Sequence, residues 1–274
     1  MRFQNKVILI SGASSGIGKA LALAFIAEGA NVALCARDLQ KLTQAFASVD
    51  HNKILLHQAD VSVYEECERF VQSAQTRWGR IDGVINNAGV SMRALFEDLD
   101  LSVLHNLMNI NFWGTVHLTK AALPHIMKSK GIITGVSSIA GYRGLPARTG
   151  YSASKFAMQG FLEALRTELL HTGVHVMWVS PGFTASNIRN TALSADGTAQ
   201  KETPLKEEKL MSAEACAALI VAAMAGRKRT LVMTRQGKLA VWLNKLIPSF
   251  VDKQVYNLFL KEPDSPLRKY ESVI

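Results

Sequence analysis

A chain of 274 residues, 48% of them hydrophobic, is long enough to bury a large core, and without a Pro/Ser/Gly-rich linker it reads as a single domain, residues 1–274. Cys35, Cys67 and Cys216 are odd in number, far apart and lack CxxC or Cys/His spacing, which argues against a disulfide framework or a metal site and for free thiols. The formal charge of +9 suits a nucleic acid, an acidic membrane or an anionic cofactor; between Arg227 and Lys261 eight basic side chains face one acid, Asp252, so the rest of the chain is nearly balanced.

The chain opens on polar residues and only four apolar ones, Val7 to Ile10, rather than the long apolar segment of a secretory signal, so a cytoplasmic location is expected. Over the first two-thirds, short β-branched runs alternate with longer segments of helical period. The pattern predicts strands over 6–12, 30–36, 53–59, 82–87, 131–137, 174–180 and 230–234, and helices over 16–28, 38–48, 63–78, 99–128, 150–171 and 212–225. Right-handed βα crossovers of this kind build an α/β doubly wound Rossmann fold: a seven-stranded, mostly parallel sheet with helices on both faces and ligands beyond the carboxyl ends of its strands.

Directly after the first strand comes Ser11-Gly12-Ala13-Ser14-Ser15-Gly16-Ile17-Gly18, then a helix. One glycine permits the tight turn, another lets backbone approach a pyrophosphate, and a third lets the helix pack close to the sheet, while the helix N-terminus aims free N–H groups at the anion. Gly12, Ser14, Ser15, Gly16, Ile17 and Gly18 are therefore candidate cofactor contacts. The second strand ends in Cys35-Ala36-Arg37. An acid there would bind the ribose hydroxyls of NAD, whereas a guanidinium holds the 2′-phosphate of NADP. Arg37 favours NADP(H), with NAD(H) still admissible; the alternative is a solvated arginine opening the next helix.

Tyr151 and Lys155 stand i, i+4 near the start of the 150–171 helix and project from one face. A phenol with a pKa of about 10 is a poor acid near neutrality; an adjacent ammonium and a positive nicotinamide would lower it. Ser138 lies thirteen residues before Tyr151, Asn86-Asn87-Ala88-Gly89 closes the fourth strand, Asn111 follows it, and Pro181-Gly182 ends the sixth. With the glycine loop, this ordered set resembles the single-domain branch of the short-chain dehydrogenase/reductase family from about Lys6 to Gly182.

The resemblance implies that Tyr151 donates a proton to a carbonyl oxygen during reduction. It likewise implies that Ser138 hydrogen-bonds that oxygen, that Lys155 holds the nicotinamide ribose and tunes Tyr151, and that Asn111 anchors a relay water. It further assigns Asp60 and Val61 to the adenine, Asn87, Ala88 and Gly89 to the adenosine side, and Pro181, Gly182, Thr184 and Ser186 to the nicotinamide end. Ser11 and Ser186 stand where threonine is more usual, and either hydroxyl makes the same hydrogen bond. The implied activity is hydride transfer between a nicotinamide and a small-molecule ketone or secondary alcohol, and the implied assembly is a homodimer or homotetramer paired through the helix bearing Tyr151 and Lys155. The competing reading is a catalytically silent, dinucleotide-binding regulator, against which the complete tetrad speaks.

The polar stretch 183–210 corresponds to the family's substrate lid, with plain disorder as its rival; Arg189 alone there is no substrate signature. Over 238–262, Leu239, Trp242, Leu243, Leu246, Ile247, Phe250, Val251, Val255, Tyr256 and Phe259 form helical stripes broken at Pro248, which is expected to open a second helix. Lys245, Asp252 and Lys253 interrupt it too much to span a bilayer. Three roles stay open: peripheral contact with an anionic membrane, a wall for a lipid- or steroid-like substrate, or a cover over the core or a subunit. No helix-turn-helix, zinc or aromatic RNA-binding motif supports a nucleic-acid partner.

Overall fold

Alternation along the first strand decides both faces of the sheet. In β1 (Val7–Ser11), Ile8 and Ile10 enter one hydrophobic layer while Val7 and Leu9 enter the other, and all five residues are buried. The computed structural model describes residues 1–184, 188–200 and 210–273. The remaining strands are β2 (Asn31–Ala36), β3 (Ile54–Gln58), β4 (Gly83–Asn86), β5 (Ile132–Val136), β6 (His175–Ser180) and β7 (Thr230–Val232). They form one sheet of order β3-β2-β1-β4-β5-β6-β7 in which every pairing is parallel. The order reverses between β1 and β4, and this switch point opens the crevice in which ligands sit.

One layer packs α1 (Gly16–Ala27), α2 (Leu39–Ala45) and α7 (Ala213–Ala225) on the sheet through Leu21, Phe25, Leu42, Ile220 and Met224. The other packs α3 (Tyr64–Trp78), α5 (Gly114–Ser129) and α6 (Thr149–Glu168) through Phe70, Leu118, Ile126, Met158 and Leu162. Each such fully buried side chain stabilises the fold by roughly 1.5–3 kcal/mol relative to exposure.

The helix expected over 99–128 is not continuous. α4 (Leu101–Leu107) runs into a π-helical stretch, Met108–Trp113, before α5 begins at Gly114. The wider turn lies around Asn111, which is fully buried and hydrogen-bonds Val90 in both directions: Val90 N–H donates to Oδ1 at 2.8 Å and Nδ2 donates to Val90 O at 3.0 Å. Such bulges occur where a functional contact outweighs helical regularity.

After β7 the chain leaves through Thr234, whose φ of 57° is costly for a β-branched residue; its hydroxyl accepts the Gly237 N–H at 3.0 Å and so caps the next helix. α8 (Arg235–Leu246) and α9 (Pro248–Leu260) follow, with Pro248 in the first turn of α9 as expected. The pair is tied to the core. Arg143 meets Asp252 at 2.5 Å, Asn244 donates to Tyr142 O at 3.2 Å, and Phe259 is buried with Leu95 and Leu267. Among the described residues no helix is long and apolar enough to cross a membrane.

Candidate active site

The first βα turn shows why glycine stands where it does. Gly12 has a φ of 65°, and a Cβ on it would lie 2.8 Å from Ala88 Cα; a Cβ on Gly18 would lie 2.3 Å from Gly12 O. Both contacts are below what any side chain tolerates, so helix, turn and β4 meet only because these atoms are missing. The Ser11 hydroxyl accepts the N–H groups of Asn87 and Ala88, each at 3.1 Å, and Asn87 Nδ2 donates to Ser11 O at 2.9 Å and Gly12 O at 3.1 Å. α1 has no side-chain cap and no acid in its first turn, so its N-terminal N–H groups and positive potential are uncompensated. That is a cradle for a pyrophosphate.

Ser14, Ser15, Gly16, Ile17 and Gly18 line a cleft of about 450 Å³. At one end it reaches Arg37, Asp60 and Val61, and along its floor Asn87, Ala88 and Gly89. Arg37 is exposed at the rim beside Lys41, a second cation that sequence reasoning passed over. Asp38 does not oppose them directly: its carboxylate accepts Lys41 N at 2.8 Å as the cap of α2. Asp60 accepts both the N–H and the hydroxyl of Ser62, at 2.9 and 2.7 Å, in a turn before α3, whose cap is Val63. The cleft thus joins a cationic rim to the anion cradle of the glycine turn, a lining that suits a dinucleotide.

Ile17, Asn87 and Gly89 continue into a second cavity of about 440 Å³, where Ser138, Tyr151 and Lys155 converge with Pro181, Gly182 and Thr184. Ser138 opens a short 3-10 turn, Ile139–Gly141, its hydroxyl accepting Ala140 N–H at 3.2 Å. Neighbouring Ser137 is buried and engaged by Gln159 Nε2 at 2.8 Å, which is why Ser138 is the serine available for chemistry. Ser186 lies outside the described residues.

Lys155 is 3% exposed, donates to Val136 O at 2.8 Å and lies 5.7 Å from the centroid of the Tyr151 ring. Burial pushes its ammonium down to about 8. Burial pushes the Tyr151 phenol up; the Ser138 hydrogen bond and the charges of Arg148 and Arg189 oppose this without cancelling it. The lowering expected for Tyr151 is thus not supplied by the chain's own groups, because desolvation outweighs them.

Asn111 is fixed by its own hydrogen bonds. Its side chain is committed to Val90 and to Ser154, to whose hydroxyl Nδ2 donates at 2.8 Å, and its carbonyl accepts the Thr115 hydroxyl at 2.8 Å. Second lone pairs on these oxygens are what remain for a water. A Cβ on Gly89 would stand 3.1 Å from Asn111 Oδ1, a tight contact, and 3.5 Å from Lys155 Nζ, an ordinary one, so the loop at Gly89 lies directly against both side chains.

The outer wall of the second cavity comes from residues not marked by any motif: Arg143, Arg148, Thr234, Gly237, Val255 and Phe259. Gly237 lies against Ile139, where a Cβ would stand 2.7 Å from Cδ1. Periodicity revealed the apolar stripe of α9 but not that it closes the cavity beside Tyr151.

The short chain dehydrogenase family pattern matches residues 6–197 of this chain. Among curated proteins it is 36% identical over 254 residues to 11-beta-hydroxysteroid dehydrogenase-like 4A of Arabidopsis thaliana, covering 91% of this chain and 83% of that one. It is 34% identical over 271 residues to 11-beta-hydroxysteroid dehydrogenase A of Arachis hypogaea, covering 95% and 77%. Among solved structures, a short chain dehydrogenase/reductase from Burkholderia phymatum in complex with NAD superposes with a TM-score of 0.80 at 21% identity, covering 91% of this chain and 96% of that one. A short chain dehydrogenase from Burkholderia cenocepacia in complex with NADP gives 0.79 at 23%, covering 93% and 99%. At such identities these structures speak for the fold.

Proposed function

The chain belongs to the short-chain dehydrogenase/reductase family of nicotinamide-dependent oxidoreductases, and from that premise we propose that it is an NADP(H)-preferring, single-domain enzyme interconverting a hydrophobic ketone and its secondary alcohol. The observation that carries this reading is the convergence of Ser138, Tyr151 and Lys155 on a largely apolar cavity continuous with the glycine-loop cleft.

A nicotinamide held by the glycine turn and Lys155 would supply or accept the hydride at the carbonyl carbon. The chain's own residues handle the oxygen. Ser138 donates a hydrogen bond to it as charge develops, and Tyr151 transfers its phenolic proton to it during reduction and recovers that proton in the reverse direction. A phenol kept protonated by burial is in the form that reduction requires. Lys155 places its ammonium between Tyr151 and the floor formed by Gly89 and Asn111, where it orients the nicotinamide ribose and steadies the phenolate. Arg37 and Lys41 receive the 2′-phosphate, which supports NADP(H) over NAD(H). Asp60 and Val61 border the adenine, and Thr184 and Ser186 serve the carboxamide.

Two further readings rest on exposed apolar side chains. Phe156 of α6 and Trp113 before α5 are each 46% exposed, which supports subunit pairing through the Tyr151 helix, as homodimer or homotetramer. On α8 and α9, Trp242, Leu246 and Phe250 are more than half exposed beside the exposed Lys238, Lys245 and Lys253, which supports peripheral contact with an anionic membrane. The decisive assay follows oxidation of NADPH and NADH by the purified protein with cyclic and long-chain ketones. The expected result is turnover favouring NADPH and lost in Tyr151→Phe. Cofactor binding without turnover of any ketone in a broad panel would favour a silent regulator instead.

A further inference from the structure

Lipophilic as it is, the cavity in front of Tyr151 carries charge of one sign. Arg143, Arg148, Lys155 and Arg189 line it, and no aspartate or glutamate does so among the described residues. The balancing acids stand behind the wall. Asp252 serves Arg143 at 2.5 Å. Glu262 is shared, 3.3 Å from Arg148 Nη2 and 3.4 Å from Arg93 Nε. The side chains of Arg93, Arg148 and Glu262 are only 12%, 10% and 8% exposed, so two buried guanidiniums divide one carboxylate.

Of the two, Arg148 is the one that borders the cavity. Arg93 turns its Nη2 to Pro263 O at 2.6 Å. Arg148 uses Nη2 on Glu262 and lays its guanidinium 4.7 Å from the centroid of Phe259, while its buried Nη1 has no hydrogen-bond partner among the described residues. An unsatisfied donor on an under-compensated buried cation is costly, and burial already holds Arg148 below the usual arginine range. An oxyanion entering from the cavity would supply the second negative charge that two guanidiniums sharing Glu262 lack, since a guanidinium pairs strongly with a carboxylate.

We propose that the substrate of this enzyme is an amphipathic keto acid or hydroxy acid, its apolar body in the cavity and its carboxylate on Arg148. This rests on the reading of that cavity as the substrate site. Arg148 is then the specificity determinant, selecting an acid over the neutral ketone of equal length. Its position three residues before Tyr151 couples head-group recognition to the catalytic helix.

Calorimetric titration of the NADP-loaded protein with three ten-carbon probes, decanoate, decanamide and decyltrimethylammonium, tests this without any turnover. Decanoate should bind at least tenfold more tightly than decanamide, and the ammonium most weakly. In Arg148→Gln, which leaves Arg93 and Glu262 as a balanced pair, decanoate and decanamide should bind within about threefold of each other. If decanamide or the ammonium matches decanoate in the wild-type protein, the proposal is overturned. It is overturned equally if the preference for decanoate survives in Arg148→Gln, since the anion then sits elsewhere, as on the basic tail. Should Arg148→Gln not fold, the wild-type ranking decides alone. Turnover of ketones, neutral and acidic alike, measured separately, judges the oxidoreductase reading, so failure of one is not mistaken for failure of the other.

Discussion

Replacing Lys155 by methionine is expected to abolish turnover while making the protein more stable. The ammonium is 3% exposed, no carboxylate of the described residues shifts it, and burial pushes it down from 10.5 to about 8. At about 1.4 kcal/mol per pH unit, holding the charge in place costs about 3 kcal/mol. Methionine removes that cost and nearly conserves the stem, but leaves Val136 O without its 2.8 Å donor, a loss of about 1 kcal/mol. The net gain is about 2 kcal/mol, or about 4 °C in Tm for a chain of this size. The pH dependence follows from a folded-state pKa that lies below the unfolded one. Below about pH 8 both states carry the proton and the penalty is complete; above it the folded protein sheds the proton first, and the penalty fades until the unfolded chain also titrates near 10.5. Thermal unfolding at pH 7 and pH 10, followed by circular dichroism beside a ketone-reduction assay, checks this. A variant with a Tm at or below wild type at pH 7, or an advantage undiminished at pH 10, would refute the reasoning.

Three other outcomes are expected. Arg37→Ala should raise the KM for NADPH by roughly 10- to 100-fold and leave NADH unchanged, as steady-state kinetics with both cofactors will read. Ser138→Ala should lower kcat by roughly 10²–10³ with little effect on Tm, because within the chain the hydroxyl caps a short turn at 3.2 Å and meets Tyr151. Trp242→Ser with Phe250→Ser should reduce sedimentation with phosphatidylserine vesicles at low salt and leave turnover of a water-soluble ketone intact; unchanged sedimentation would count against the α8–α9 surface as a lipid contact.

Much of the architecture is legible in the chain because a parallel sheet buried on both faces demands continuous apolar runs, and those runs mark its strands. The seven expected strands match β1 to β7 closely; the last is shorter, ending at Val232 because Thr234 already turns into α8. The π-helical break at Asn111 was invisible, since the apolar period is not interrupted there and the cause is a contact with Val90, twenty-one residues away. The second cation at the cleft rim, Lys41, was hidden for a related reason: it reads as one more charge on an exposed helix.

Local order along the chain therefore determined the fold, the glycine turn, Arg37 and the Ser138, Tyr151 and Lys155 set, because each depends on spacing within one element or on the end of one strand. The surroundings of those groups were decided only in three dimensions. Burial sets the direction in which Tyr151 and Lys155 titrate, and burial is a property of everything packed around them. The shared Glu262 reaches Arg148 across 114 residues of sequence, a distance over which no periodicity carries information. Charge balance inside a cavity is a sum over side chains from many elements, and only the folded chain performs that sum.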